Sequence, residues 1–80
     1  MDGYALRAAD SGEGAALRVV VHVAAGAPPT AAIGPGEAAR IFTGAPIPRG
    51  ADAVIPQEDV QSDGATVRLG RAVKPVRQTA

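Results

Sequence analysis

Asp2 and Thr43 carry the side chains best suited to chemistry in this chain, and each stands beside a glycine, as Asp2-Gly3 and Thr43-Gly44. A carboxylate next to a glycine turn can cap backbone amides, bind a cation or face a ligand, and capping is its ordinary role. A threonine hydroxyl both donates and accepts hydrogen bonds, and Gly44 has no Cβ to keep a ligand from its amide. The other ionisable groups point less clearly to a site. His22 is the sole histidine and has no partner within local reach, as expected of a surface or satisfied residue. Glu58 and Asp59 form a carboxylate pair, but a metal site needs more ligands than this neighbourhood offers, so no metal-ligating residues are assigned. Arg68, Arg71, Lys74 and Arg77 recur every three residues, a spacing that a strand and a loose tail do not align. With no cysteine, disulfides, thiolate metal sites and cysteine nucleophiles are excluded.

The elements that must position Asp2 and Thr43 are strands. Tyr4-Ala5-Leu6 reads as a short strand entered from the Gly3 turn, with Tyr4 a core ring. Ala8–Ala15 is a polar surface crossing. Leu17–Ala24 is the clearest strand: Leu17, Val19, Val21 and Val23 share one face, and Arg18, Val20, His22 and Ala24 the other. Pro28 and Pro29 end it, with a very short helix possible over Pro28–Ala32 and an extended segment over Thr30–Ile33. Gly34-Pro35-Gly36-Glu37 predicts a tight turn, with Glu37 a solvated residue of it. Ala39–Phe42 is a strand that breaks at Thr43-Gly44. Pro46 and Pro48 stiffen the loop that follows, Gly50 allows a positive φ, and Ala53-Val54-Ile55 begins the next strand. Stiff loops on a strand scaffold are where ligand contacts usually sit. Ile55-Pro56 suggests an edge strand or bulge, continued as a strand through Gln57–Ser62. Asp63-Gly64 then predicts a two-residue hairpin pairing Ser62 with Ala65 and Val60 with Val67, with an Asp59–Arg68 ion pair across it.

Composition agrees with these elements. Eighty residues make one small domain spanning 1–80. Ten glycines and seven prolines favour turns and strands, so the expected fold is mostly β, with small, irregular, strongly bent, barrel-like sheets and little helix. About half of the hydrophobic residues are alanine, and Tyr4 and Phe42 are the only aromatics, so Val, Ile and Leu must build the core. Lys+Arg and Asp+Glu balance at eight each, which with two aromatics leaves neither a basic groove nor a stacking platform for nucleic acid. No apolar run approaches the ~20 residues of a membrane span, and no basic segment followed by an apolar one opens the chain. A cytoplasmic protein without membrane or nucleic-acid partners is the expectation.

Two segments add a resemblance. Arg40-Ile41-Phe42-Thr43-Gly44-Ala45-Pro46-Ile47-Pro48-Arg49-Gly50-Ala51-Asp52-Ala53-Val54-Ile55-Pro56-Gln57-Glu58-Asp59 resembles a signature of the molybdopterin molybdenumtransferase family, of the MoeA and gephyrin E-domain type. Met1-Asp2-Gly3-Tyr4-Ala5 resembles that family's other N-terminal signature, in the family's order and at nearly its separation. The resemblance implies a β-rich piece of a larger dimeric enzyme whose α/β domain this chain lacks. It implies insertion of molybdate into adenylylated molybdopterin, with AMP released in a step that needs magnesium or another divalent metal. The β-rich domain of one subunit would face the α/β domain of the other. Asp2 and Thr43 match family active-site positions, with Thr43 and Gly44 suited to a pterin edge or phosphate oxygen and Asp2 to orienting. The alternative is a non-catalytic β-rich module that keeps both signatures as scaffold. The tail, Val73–Ala80, leaves the family's pattern: Arg77 matches an arginine there, while the glycine-rich and acidic elements are missing.

Overall fold

A computed structural model describes residues 2–26 and 31–75. The described chain is mostly β, a single strongly curled sheet resembling half of a barrel. Its strands are β1 (Gly3–Leu6), β2 (Ala16–Val23), β3 (Glu37–Ile41), β4 (Ala53–Pro56), β5 (Val60–Ser62) and β6 (Thr66–Leu69), in the spatial order β4-β1-β3-β2-β6-β5. Two single 3-10 turns, Ala8–Asp10 and Gln57–Asp59, are the helical elements among the described residues. All neighbouring strands run antiparallel except β2 and β3.

β1 is paired on both sides, by β3 and β4, and all four of its residues are buried. Its side chains therefore feed two cores. Tyr4 and Leu6 join Leu17, Ile55, Val67 and Leu69 on one face, while Ala5 joins Val23, Ile33, Ala39 and Ile41 on the other. A Cβ on Gly3 would collide with the Ile55 carbonyl oxygen, so the close approach of β4 requires glycine there. β4 is an edge strand, as Pro56 predicts.

β2 keeps the predicted alternation, with Leu17 and Val23 buried and Arg18, Val20 and His22 exposed. Its pairing with β3 nonetheless slips by one residue: Val19 lies opposite Ala38, and Val21 opposite Ala39. Ala38 and Ala39 face opposite cores, so the extra residue, Val20, moves the odd-numbered stripe of β2 from one core to the other. Such a bulge also bends the sheet.

Other departures from the sequence reading have local causes. Gln57–Asp59 is a 3-10 turn rather than strand, fixed by the Gln57 amide donating to the Asp2 carbonyl (3.1 Å) and the Gly70 amide to the Asp59 carbonyl (2.8 Å). The hairpin pairs Ser62 with Val67 and Val60 with Leu69, two residues away from the predicted register. A two-residue type I′ turn needs positive φ at both central positions, and Gly64 has it (99°) whereas Asp63 does not. The Asp63 carboxylate instead accepts the amides of Ala65 (3.2 Å) and Thr66 (2.8 Å), which closes a longer loop. A shift of two preserves the faces, so Val67 and Leu69 remain buried. Asp59 consequently pairs with Arg71 (3.0 Å) rather than Arg68, which lies opposite Gln61.

The Gly34–Glu37 turn forms, but Glu37 is more than a solvated residue: its Oε1 accepts the Gly34 amide at 2.7 Å. Ala32 makes a parallel bridge with Arg49, while Pro28–Thr30 of the possible short helix lie outside the described residues. So do Val76–Ala80, with Arg77.

Candidate functional site

The pairing of β1 brings the two glycine-flanked residues together. Gly3 lies opposite Ile41 of β3 and Pro56 of β4, so extending both registers by one residue sets Asp2 beside Phe42-Thr43 on one side and Gln57 on the other. The strand of the second segment ends there because Thr43 and Gly44 turn the chain. The Ala45 amide donates to the Phe42 carbonyl at 2.8 Å, and Gly44 sits at φ 85°, as the third residue of a type II turn must.

Asp2 and Thr43, 41 positions apart, are in direct contact. Asp2 Oδ1 accepts the Thr43 amide at 3.2 Å and lies 3.5 Å from the Thr43 hydroxyl. Thr43 and Gly44 are exposed at this edge. The carboxylate thus caps the turn, as a carboxylate beside glycine ordinarily does.

Two residues that the sequence reading passed over complete the cluster. Arg40 extends from β3 between the only two aromatic rings, its Cζ 5.1 Å from the Tyr4 centroid and 5.0 Å from the Phe42 centroid. Its Nη2 donates to Gln57 Oε1 at 2.7 Å and stands 3.9 Å from Asp2 Oδ2, while Nη1 reaches the Gly3 carbonyl at 3.4 Å. Gln57 closes the ring by donating its backbone amide to the Asp2 carbonyl. A signal for Arg40 was available, because period-two alternation puts it on the same strand face as Phe42. Gln57 gave none.

The remaining candidates stand apart from this cluster. His22 is exposed on β2. Glu58 and Asp59 line a separate open cleft of about 450 Å³ with Arg68 and Arg71. Among the described residues no group of three or more His, Asp or Glu side chains is arranged to hold a metal ion. Nor do the partners of the Asp2 carboxylate, Arg40 and the Thr43 amide, form the oxygen-rich set that a divalent cation requires.

The comparisons with known proteins bear on what this edge is for. The pattern for the MoeA N-terminal region (domain I and II) matches residues 1–80. The chain belongs to the MoeA family. Within that family it is similar to the molybdopterin molybdenumtransferase of Nostoc sp., 40% identical over 80 residues, covering 94% of this chain and 18% of the relative. It is also similar to that of Bacillus subtilis, 44% identical over 66 residues, covering 76% of this chain and 15% of the relative. A crystal structure of a molybdopterin biosynthesis MoeA protein from Pyrococcus horikoshii superposes with a TM-score of 0.84 at 39% identity, over 94% of this chain and 21% of that one. The chain thus spans about a fifth of the length of the MoeA proteins it matches. No helix among its described residues is long and apolar enough to cross a membrane.

Proposed function

We propose that this MoeA domain supplies one wall of the site at which molybdate is inserted into adenylylated molybdopterin with release of AMP. The facing wall belongs to the α/β domain of a second subunit in a homodimer, and the setting is cytoplasmic. The observation that carries this reading is the contact between the two signatures, with Asp2 Oδ1 3.2 Å from the Thr43 amide. Two segments serving one ligand must converge in space, and these do so at an exposed edge.

Thr43 and Gly44 are the contact residues. The hydroxyl can donate to a phosphate oxygen or bond a pterin edge, and the absence of a Cβ on Gly44 opens its amide to close approach. Asp2 orients rather than attacks: its carboxylate already accepts the Thr43 amide and faces Arg40, so it holds the turn in the conformation that presents hydroxyl and amide together. The described residues do not fit a divalent metal, and the metal this reaction requires would be held by the facing wall. The 80-residue chain alone is therefore expected not to turn over.

The test is an insertion assay with adenylylated molybdopterin, molybdate and magnesium on the full-length transferase carrying this domain. Asp2→Ala and Thr43→Ala are expected to lower the rate by up to about 10²-fold while the protein stays folded. Unchanged rates would reduce both residues to scaffold, and turnover by the 80-residue chain alone would refute the shared-wall reading.

A further inference from the structure

The Arg40 guanidinium pairs with Asp2 on one side of the Asp2–Thr43 junction and lies over the Phe42 ring on the other, and we propose that Arg40 is the junction's positioning residue. It fixes the Asp2 carboxylate against the Thr43 amide. An arginine three residues before an exposed threonine-glycine turn invites a different reading, as a clamp for ligand phosphate. The geometry opposes that. Only 18% of the Arg40 side chain is exposed, its Cζ lies about 5 Å from both the Tyr4 and the Phe42 ring centroids, and its donors are directed at Gln57 Oε1, the Gly3 carbonyl and Asp2. A phosphate clamp needs its donor fork facing outward.

The same contacts suit a positioning role. The rings remove the rotational freedom of the long side chain, and the 2.7 Å bond to Gln57 sets the angle of the guanidinium. At 3.9 Å from Oδ2 the positive charge leaves Oδ1 to the Thr43 amide, so each carboxylate oxygen has its own partner. Gln57 in turn is fixed to the Asp2 carbonyl, so Arg40 braces the side chain and main chain of one residue at once. Lysine cannot substitute fully, because an ammonium lacks the planar fork that sets Nη2 against Gln57 and Asp2 and Nη1 against the Gly3 carbonyl while lying near both rings. The consequence for catalysis rests on the proposed function; the positioning itself does not.

The experiment reads the Thr43 amide resonance in the ¹⁵N-labelled chain. Asp2→Ala should move its proton upfield, because a bond to a carboxylate is lost. Arg40→Met should move it the same way by at least half as much, and Arg40→Lys should restore part of that shift. In the Asp2→Ala background Arg40→Met should add little, because Arg40 acts through Asp2. A Thr43 amide unmoved in Arg40→Met, full additivity in the double variant, or equal movement of the Val67 amide two strands away would each overturn the inference. Should Arg40→Met not fold, Gln57→Ala replaces it: a smaller upfield step is expected, and no step overturns the inference. Activity separates the two readings. If Arg40→Met displaces the Thr43 amide while the full-length transferase carrying it keeps its insertion rate, the proposed function fails and the positioning role stands.

Discussion

Gly3→Ala is a demanding single change in the middle of this sheet. Gly3 has strand neighbours on both sides, Ile41 and Pro56, and a Cβ there meets backbone rather than side chain. It collides with the Ile55 carbonyl oxygen and stands 3.2 Å from the Ile55 carbonyl carbon and 3.3 Å from Pro56 Cα. No side-chain rotation relieves such a contact, so β4, an edge strand paired to β1, must move away. Overpacking ordinarily costs ~1–3 kcal/mol, and a rigid obstacle puts this case at the upper end. Displacing β4 also withdraws part of the burial of Ile55, which is fully inaccessible and contributes ~1.5–3 kcal/mol when buried. The expected loss is about 3 kcal/mol, most of the ~5 kcal/mol that a domain of this size commands. Gly12→Ala is the control, since a Cβ there has nothing within 4 Å, and it should stay within about 0.5 kcal/mol of the parent. Urea unfolding of the 80-residue chain, followed by far-UV circular dichroism, measures both. Equal midpoints for the two variants would refute the close-approach argument.

Two further expectations use the same measurement. Arg18 and Glu37 form an ion pair at 3.3 Å, but Arg18 is 72% exposed, so Arg18→Ala should cost less than about 0.5 kcal/mol. Glu37→Ala should cost about 1–2 kcal/mol, because it also removes the acceptor of the Gly34 amide, and equal costs would contradict the capping role. Asp63→Ala removes the acceptor of two exposed loop amides and should cost about 1 kcal/mol while cross-strand NOEs keep Val60 opposite Leu69. A change of register in that variant would show that the carboxylate, rather than the strands, sets the pairing.

Much of this fold is legible where one residue property decides the outcome. The alternation from Leu17 to Val23 announces β2, the proline-rich loop separates β3 from β4, and Pro56 marks an edge. The curl of the sheet follows less directly, from many glycines and few large side chains. What escaped depends on contacts distant in sequence. Gln57 turns because its amide meets Asp2, and the hairpin loop is longer than two residues, closed by Asp63 reaching forward to Thr66, while the strands hold its register. In the site, the glycine-flanked Asp2 and Thr43 were visible as candidates. Their contact required the β1–β3 register, and that register also adds Tyr4 to Phe42 as the second ring beside Arg40.

The slipped residue in β2 makes that strand tolerant of length. Without Val20, Val19 would still oppose Ala38 and Val21 would still oppose Ala39, in an unbroken ladder. The β6 partners, Ala16 to Arg18, all precede the slip and would not sense the loss. A chain one residue shorter here should therefore keep both cores and lose chiefly curvature. Such a chain would look misaligned by its hydrophobic phase while matching residue for residue in space. Comparisons across this strand are thus better anchored on the alanines of β3 than on the valines of β2. A shorter relative whose valines changed partners would argue otherwise.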